Sequence, residues 1–116
     1  MNNFDTLAEF EKEFKRLFKK YKTLDDDFEK FKKILMVTPT GIGKNFVIIH
    51  SSLNIKVVKA RMVCRSLRDR SVRVIYAYHE TKAVIEFIEL YFKGEKENED
   101  RERIKEYLRI HNPPKK

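Results

Sequence analysis

Two stretches in the second half of the chain decide the fold: Ile55–Val63 reads IKVVKARMV and Val72–Tyr78 reads VRVIYAY. Both are rich in β-branched or aromatic residues, and both alternate in the period-two pattern of a strand. Similar runs over Phe46–His50 and Val84–Phe92 add two further strands. The connections between the four runs are short, so we predict an antiparallel meander.

The first half of the chain predicts a helical hairpin. Residues 6–9, TLAE, have the capping-box pattern, and apolar residues then recur at helical spacing from about Leu7 to Tyr21. A second helix begins near Thr23, and its apolar positions fall on one face. Those positions are Leu24, Phe28, Phe31 and Leu35. We interpret the two aromatic stripes as core faces of the hairpin.

The tail from Lys96 to Ile110 is predicted to form a last, highly charged helix, which Pro113 and Pro114 stop. Its apolar positions are Ile104, Tyr107 and Leu108. The fold class expected is therefore α+β, with an N-terminal helical hairpin packed on a mostly antiparallel four-stranded sheet and a C-terminal charged helix. A length of 116 residues suits one domain spanning residues 1–116.

Charge and cysteine content limit the classes of function. The formal net charge is +8 and the pI is near 9.6, which favours a polyanionic partner through counterion release. Cys64 is the single cysteine, so neither a disulfide framework nor a CxxC zinc pair is expected. The sequence shows no apolar run of bilayer length and no secretory leader. We therefore expect a cytoplasmic protein that has no membrane partner.

Residues 38–45, TPTGIGKN, resemble a phosphate-binding loop without matching it. That motif requires Gly where Thr38 stands and Ser or Thr where Asn45 stands, and it follows a strand instead of a helix. We interpret the segment as a glycine-rich turn from helix to strand, in which Lys44 is available to contact a phosphate.

A cluster of cations is expected on one face of the sheet. The period of two places Lys59 and Arg61 on the same face of one strand, and Arg73 of the next strand can join them. If the hairpin covers the opposite face, this face is open and forms an anion site. Tyr91 and Lys93 share one side of the last strand. The alternative is that these cations are surface side chains without a ligand.

The order of these elements resembles the RelE/ParE toxin family over nearly the whole chain. The residues that carry the resemblance are the hairpin, the Lys-x-Arg pair at Lys59–Arg61, the RVIY element from Arg73, and FIELYFK at residues 87–93. The resemblance implies a toxin that cleaves messenger RNA on the ribosome and that a cognate antitoxin neutralises. It also implies that Lys59, Arg61 and Arg73 hold the scissile phosphate or transfer protons, as the matching cations of family members do. Lys93 matches a further basic position of the family, at the end of the last strand.

The chemistry needs no metal, because the RNA 2′-hydroxyl is its own nucleophile once it is oriented in line. Arg61 and Arg73 are predicted to stabilise the phosphoryl charge. Lys59, crowded by both arginines, is predicted to have a lowered pKa that lets it act as a base. Tyr91 is the alternative proton donor, unless it is a packed strand tyrosine. Contacts with RNA phosphates are further expected from Lys44, Lys56 and Arg65.

Other chemistry-bearing residues carry weaker signals. His50, His79 and His111 lack metal-ligand spacing, so no metal and no cofactor are expected. We interpret His111 as a surface histidine; the alternative is an acid that swings to the sheet. The carboxylates between Glu95 and Glu102 alternate with cations, which indicates a solvated, ion-paired helix.

Two alternatives remain open at this level. One is a ParE-like toxin of the same fold, which acts on DNA gyrase without catalytic residues. The other is a passive RNA-binding module, whose affinity would fall steeply with salt while the RNA stayed whole.

Overall fold

The computed structural model describes residues 2–68 and 70–111, which form three helices and one five-stranded sheet. The strands are β1 (Asn3–Thr6), β2 (Phe46–Ser51), β3 (Ile55–Val63), β4 (Ser71–His79) and β5 (Val84–Phe92). The helices are α1 (Ala8–Lys20), α2 (Leu24–Val37) and α3 (Arg101–His111). Within these residues, none of the helices is long and apolar enough to cross a bilayer.

The sheet has the order β1-β5-β4-β3-β2, and every neighbouring pair is antiparallel except β1 and β5. The predicted α+β fold is confirmed, with the four predicted strands forming the meander. The sheet gains a fifth strand, β1, that the sequence analysis missed. The predicted capping box is wrong for the same reason: Thr6 pairs with Phe87 as the end of β1, and α1 begins after Leu7 without a side-chain cap.

The helical hairpin packs on one face of the sheet, as predicted. Val58, Ala60 and Met62 of β3 lie on this face and are buried against the apolar side chains of α1 and α2. Ring contacts between Phe10, Phe28 and Phe87 join both helices to β5, since the centroids lie 4.8–5.5 Å apart. The aromatic stripes are therefore core, and Lys59 and Arg61 point to the opposite face.

The opposite face is not open along its whole length, which corrects the sequence-based expectation. Helix α3 packs on it through Ile104 and Tyr107, against a second apolar cluster that includes Ile55 and Ala77. Long antiparallel strands with apolar residues on both faces need cover on both sides. The half that carries Arg61 and Arg73 stays outside this cluster.

Helix α3 begins at Arg101, later than the predicted start at Lys96. Asp100 acts as its cap, because Oδ1 accepts a hydrogen bond of 3.0 Å from the Arg103 N–H. The preceding segment is held by buried Glu89, which accepts from the Asp100 N–H at 2.8 Å and pairs with Lys96. The two prolines predicted to stop the helix lie outside the described residues.

The segment between α2 and β2 is the glycine-rich turn that the sequence predicted. Gly41 and Gly43 have φ values of 73° and 93°, in the left-handed region that glycine adopts most readily. The Phe46 ring lies against Gly41, where a Cβ would approach it to 2.1 Å. Tyr76 fixes the turn by donating a hydrogen bond of 2.8 Å to the Pro39 carbonyl. The turn carries Lys44 to the start of β2.

Candidate functional site

The register of the sheet brings the predicted cations together. Arg61 of β3 is the cross-strand partner of Arg73 of β4, and Arg73 is the partner of Tyr91 of β5. Lys59 stands two residues along β3 from Arg61, on the same face. Side chains directly opposite each other on one face have their Cβ atoms about 5 Å apart. The shared cationic face is therefore a product of strand register.

These side chains line an open pocket of about 290 Å³, which we call the cation pocket. Its basic residues are Lys44, Lys59, Arg61, Arg73 and Lys93. Lys44 reaches it from the glycine-rich turn and Lys93 from the residue after β5, so four separate parts of the chain contribute. Five of the eight residues predicted as catalytic or RNA-binding meet here.

One carboxylate, Glu99, stands among these cations. Its Oε1 lies 2.9 Å from Lys59 Nζ, and only 11% of its side chain is exposed, against 28% for Lys59. The hydrogen bond that Lys59 donates to Glu99 raises the pKa of Lys59 above its ordinary value, and the neighbouring Tyr91 adds to the effect. The predicted lowering of the Lys59 pKa by two arginines is therefore wrong, because an acid 40 residues away in sequence holds the ammonium charged.

Glu99 is the residue that the sequence analysis missed. Burial raises the pKa of its carboxyl, but the hydrogen bonds from Lys59 and from its own backbone N–H, together with the charges of Lys59 and Arg101, hold the pKa below its ordinary value. The alternation of charges around it predicts a solvated helix, whereas Glu99 lies in the irregular segment before α3. The residues around Glu99 in the sequence do not predict its position beside Lys59. That position depends on Glu89, which binds Lys96 and the backbone N–H of Asp100 on either side of Glu99.

Arg73 is the most enclosed cation of the pocket. It is 9% exposed and donates a hydrogen bond of 2.8 Å to Ser71 Oγ. Burial and the adjacent Arg61 lower its pKa. The guanidinium stays charged at any ordinary pH. The expectation that Arg73 lies on an open surface is wrong, since the flanking strands and the pocket walls cover most of it.

Tyr91 lies beneath the pocket and is 3% exposed. It belongs to the apolar cluster under α3, and the Lys96 ammonium stands 5.5 Å from its ring centroid. Burial raises the pKa of its phenol. Tyr91 is therefore packed in the sheet while its hydroxyl interacts with Lys59. Its role as the alternative proton donor stays a prediction.

Lys56 and Arg65, which were predicted to bind RNA, do not line the cation pocket. Lys56 lies toward the other end of β3 and pairs with Glu80. Arg65 follows β3 and is held by Asp27, whose Oδ1 lies 3.0 Å from the Arg65 Nε. Both cations are thus partly neutralised by carboxylates of the described chain.

The histidines lie away from the cations. His79 Nε2 is 2.5 Å from the Tyr107 hydroxyl, and the His111 ring packs on Tyr107 with a centroid distance of 4.2 Å. This cluster lies at the C-terminal end of β4, whereas Arg73 lies near the N-terminal end of the same strand. His111 therefore does not reach the cation pocket as an acid. Among residues 2–68 and 70–111, no group of histidine, cysteine and acidic side chains is arranged to hold a metal ion.

Comparison with known proteins supports the fold assignment. No family model matches the chain, and no curated protein matches it. Among solved structures, the RelE chain in the crystal structure of the archaeal RelE–RelB complex from Pyrococcus horikoshii OT3 is similar, with 22% sequence identity and a TM-score of 0.62. The match covers 80% of this chain and 96% of that chain. The chain therefore has a RelE-like fold, as the sequence analysis predicted, with a cation pocket on its sheet.

Proposed function

We propose that the protein is the toxin of a type II toxin–antitoxin system and an endoribonuclease that cleaves messenger RNA on the ribosome. The observation that carries the proposal is the cation pocket. Within residues 2–68 and 70–111, no carboxylate forms an ion pair with Lys44, Arg61, Arg73 or Lys93. Four such cations around one cavity suit a phosphodiester chain, whose charges repeat at every nucleotide. The RelE-like fold supports the same proposal.

In this proposal Arg61 and Arg73 clamp the scissile phosphate. Their adjacent guanidiniums present planar sets of N–H donors, which match phosphate oxygens bidentately and gain strength as charge grows on them. The clamp also sets the phosphate for in-line attack by the neighbouring 2′-hydroxyl, so orientation replaces a protein nucleophile. The attack needs no metal because both reacting oxygens belong to the RNA.

Lys59 takes the role of proton donor in place of base, because Glu99 holds it protonated in the free protein. The 2′-oxygen bonds to phosphorus and loses its proton to solvent, and the bond from phosphorus to the 5′-oxygen breaks. Lys59 supplies the proton that the departing 5′-oxygen takes up. The products are a 2′,3′-cyclic phosphate and a 5′-hydroxyl end.

An antitoxin is proposed as the protein partner, with an apolar segment on the sheet edge and acidic side chains at the cation pocket. Strand β2 is one of the two edges of the sheet, and within residues 2–68 and 70–111 it pairs with β3 alone. Large apolar side chains stand exposed along β2 and the end of α2: Val47, Ile48, Ile49, Ile34 and Val37. An apolar edge strand of this kind is a template for strand addition by a partner. If the chain expressed alone leaves growth unchanged and accumulates as folded protein, the toxin proposal is wrong.

The proposed activity is tested with purified ribosomes programmed with a defined messenger. The expected result is messenger cut within the ribosomal site. Intact messenger together with blocked supercoiling by DNA gyrase would point to a ParE-like toxin instead. Binding that falls steeply with salt but leaves the RNA whole would point to a passive RNA-binding module.

We propose that the protein acts in the cytoplasm. Cys64 is a free, buried cysteine, which is compatible with a reducing compartment.

A further inference from the structure

Two further cavities continue from the cation pocket along the same end of the sheet. The first, of about 400 Å³, is lined by Arg70, Ser71, Arg73, Phe92, Lys93 and Gly94, so it shares Arg73 and Lys93 with the cation pocket. The second, of about 370 Å³, is lined by Ser66, Leu67, Arg68 and Arg70, and it shares Arg70 with the first. Because each cavity shares a basic wall with the next, the three form one continuous surface, which we call the cation track.

The cations beyond the pocket are set by the fold. The Arg70 guanidinium stands 5.9 Å from the centroid of the Phe92 ring, a cation–π contact that limits its freedom. The ring in turn lies on Gly94, where a Cβ would approach it to 2.5 Å. Arg68 has φ 60° and ψ −118°, a conformation that favours glycine. An arginine at this position has an energetic cost that its exposed side chain does not offset by packing.

We propose that the cation track is an extended binding site for single-stranded RNA, in which the strand leaves the scissile phosphate at Arg73 and passes Arg70 to Arg68. The inference rests on the proposed function and adds a second set of phosphate contacts to it. Each basic residue along the track neutralises backbone charge without reading bases. The track therefore raises affinity for longer RNA and holds the scissile phosphate in register, with no sequence preference of its own.

The chemistry of the track favours RNA over an acidic protein segment. Protein partners anchor mainly through apolar and aromatic side chains in desolvated pockets. Among residues 2–68 and 70–111, the largest group of exposed apolar side chains lies on β2 and the end of α2, outside the two track cavities. The charged residues that wall those cavities are all basic: Arg68, Arg70, Arg73 and Lys93. A strand whose phosphates stay partly hydrated suits such an open, polar surface.

The test compares binding of uncleavable 2′-O-methyl RNA oligonucleotides of three and nine nucleotides, at several salt concentrations. The variants are Arg70→Gln and Arg68→Gly, with Lys82→Gln as the charge-matched control in the turn at the other end of β4. Arg68→Gly removes the cation and the steric cost of the backbone conformation at φ 60°, so its melting temperature is expected to be unchanged or higher. A purely structural role for Arg68 would leave RNA affinity unaffected in this variant.

We expect each track variant to weaken binding of the nine-nucleotide RNA several-fold and to lower its salt slope by about 0.7 for each cation removed. Binding of the three-nucleotide RNA is expected to stay at the wild-type level. Equal effects of Lys82→Gln and the track variants on the long RNA would overturn the proposal. So would unchanged RNA binding with weakened binding of a glutamate-rich peptide, which would mark a protein surface.

The binding experiment and the messenger-cleavage assay together distinguish failure of the track proposal from failure of the nuclease proposal. Wild-type protein that shows the length-dependent binding but leaves messenger intact would support the track and remove the nuclease. Cleavage of messenger without any difference between short and long oligonucleotides would remove the track and leave the nuclease.

Discussion

Arg73 combines near-complete burial with a second guanidinium as its cross-strand neighbour. Burial and Arg61 both lower its pKa, so the folded protein holds its charge at some energetic cost. Arrangements that disfavour a charged group in the free protein are typical of sites that bind an opposite charge. The scissile phosphate is the proposed opposite charge.

Substitution of Arg73 separates binding of the transition state from stability. We expect Arg73→Ala to lower messenger cleavage on the order of a hundredfold or more, because a bidentate contact with the phosphoryl oxygens is lost. Its free energy of unfolding should fall by no more than about 2 kcal/mol, because the packing of the buried stem and the hydrogen bond to Ser71 are lost while the repulsion from Arg61 is relieved. Arg73→Lys should recover activity only in part, because it keeps the charge and loses the planar donors. Cleavage rates and thermal melts of the three proteins measure this, and wild-type cleavage by folded Arg73→Ala would exclude Arg73 from the reaction.

In the proposed RNA complex, a phosphate takes the place beside Lys59 that Glu99 occupies in the free protein. Removing its charge with Glu99→Gln should tighten binding of uncleavable RNA several-fold, equivalent to roughly 1 kcal/mol for one partly exposed ion pair. Cleavage at saturating RNA should remain near the wild-type rate. Glu97→Gln is the matched control, since Glu97 is exposed and does not line the cation pocket. Loss of cleavage without a change in RNA affinity would instead place Glu99 in the chemical step.

At the scale of elements, the strands were predictable and the cover of the second face was not. The alternation in Ile55–Val63 and in Val84–Phe92 specifies strand and face together, so the meeting of Lys59, Arg61 and Arg73 follows from the sequence. The short polar strand β1 has no such pattern, because it depends on its parallel pairing with β5. The side chains of α3 mark it as amphipathic, but sequence periodicity does not say which surface it covers.

The α3 end of the sheet carries a pH-sensitive cluster. The Tyr107 hydroxyl donates to Glu86 at 2.6 Å, so His79 donates its Nε2 proton to Tyr107. Burial, and then the nearby His111 and Lys82, lower the pKa of His79 below its ordinary 6.5, although Glu86 opposes them. The unfolded chain therefore binds more protons than the folded chain below that value. We expect full stability above pH about 6.5 and a progressive loss as the pH falls below it.

Thermal melts at pH 7.5 and 5.5 measure this dependence. His79→Gln keeps an N–H donor for Tyr107 and removes the titration, so its melting temperature should change less between the two pH values. His50→Gln, a substitution in β2 outside the cluster, should retain the wild-type dependence. Equal pH dependence in wild type and His79→Gln would show that His79 does not link α3 to pH.

Over the whole molecule, 26 basic residues outnumber 18 acidic ones. Some of these cations pair with carboxylates, and others line the cation pocket and the cation track. Lys56, Arg65 and Arg103 lie against carboxylates of the described chain and contribute to its structure. The cations of the pocket and track gather at one end of the sheet, where their summed potential attracts a polyanion and speeds its association. The composition predicts such a partner, but only the fold separates the two kinds of cation.

We propose that the cation pocket cleaves RNA by attack of the 2′-hydroxyl on the scissile phosphate. The decisive experiment identifies the chemistry of the ends left on messenger cut by the wild-type protein and by Arg73→Ala. Attack by the 2′-hydroxyl leaves 2′,3′-cyclic phosphate and 5′-hydroxyl ends, which we expect with wild-type protein and scarcely at all with the variant. Ends that carry 5′-phosphate, or the same cuts at the same rate with folded Arg73→Ala, would contradict it.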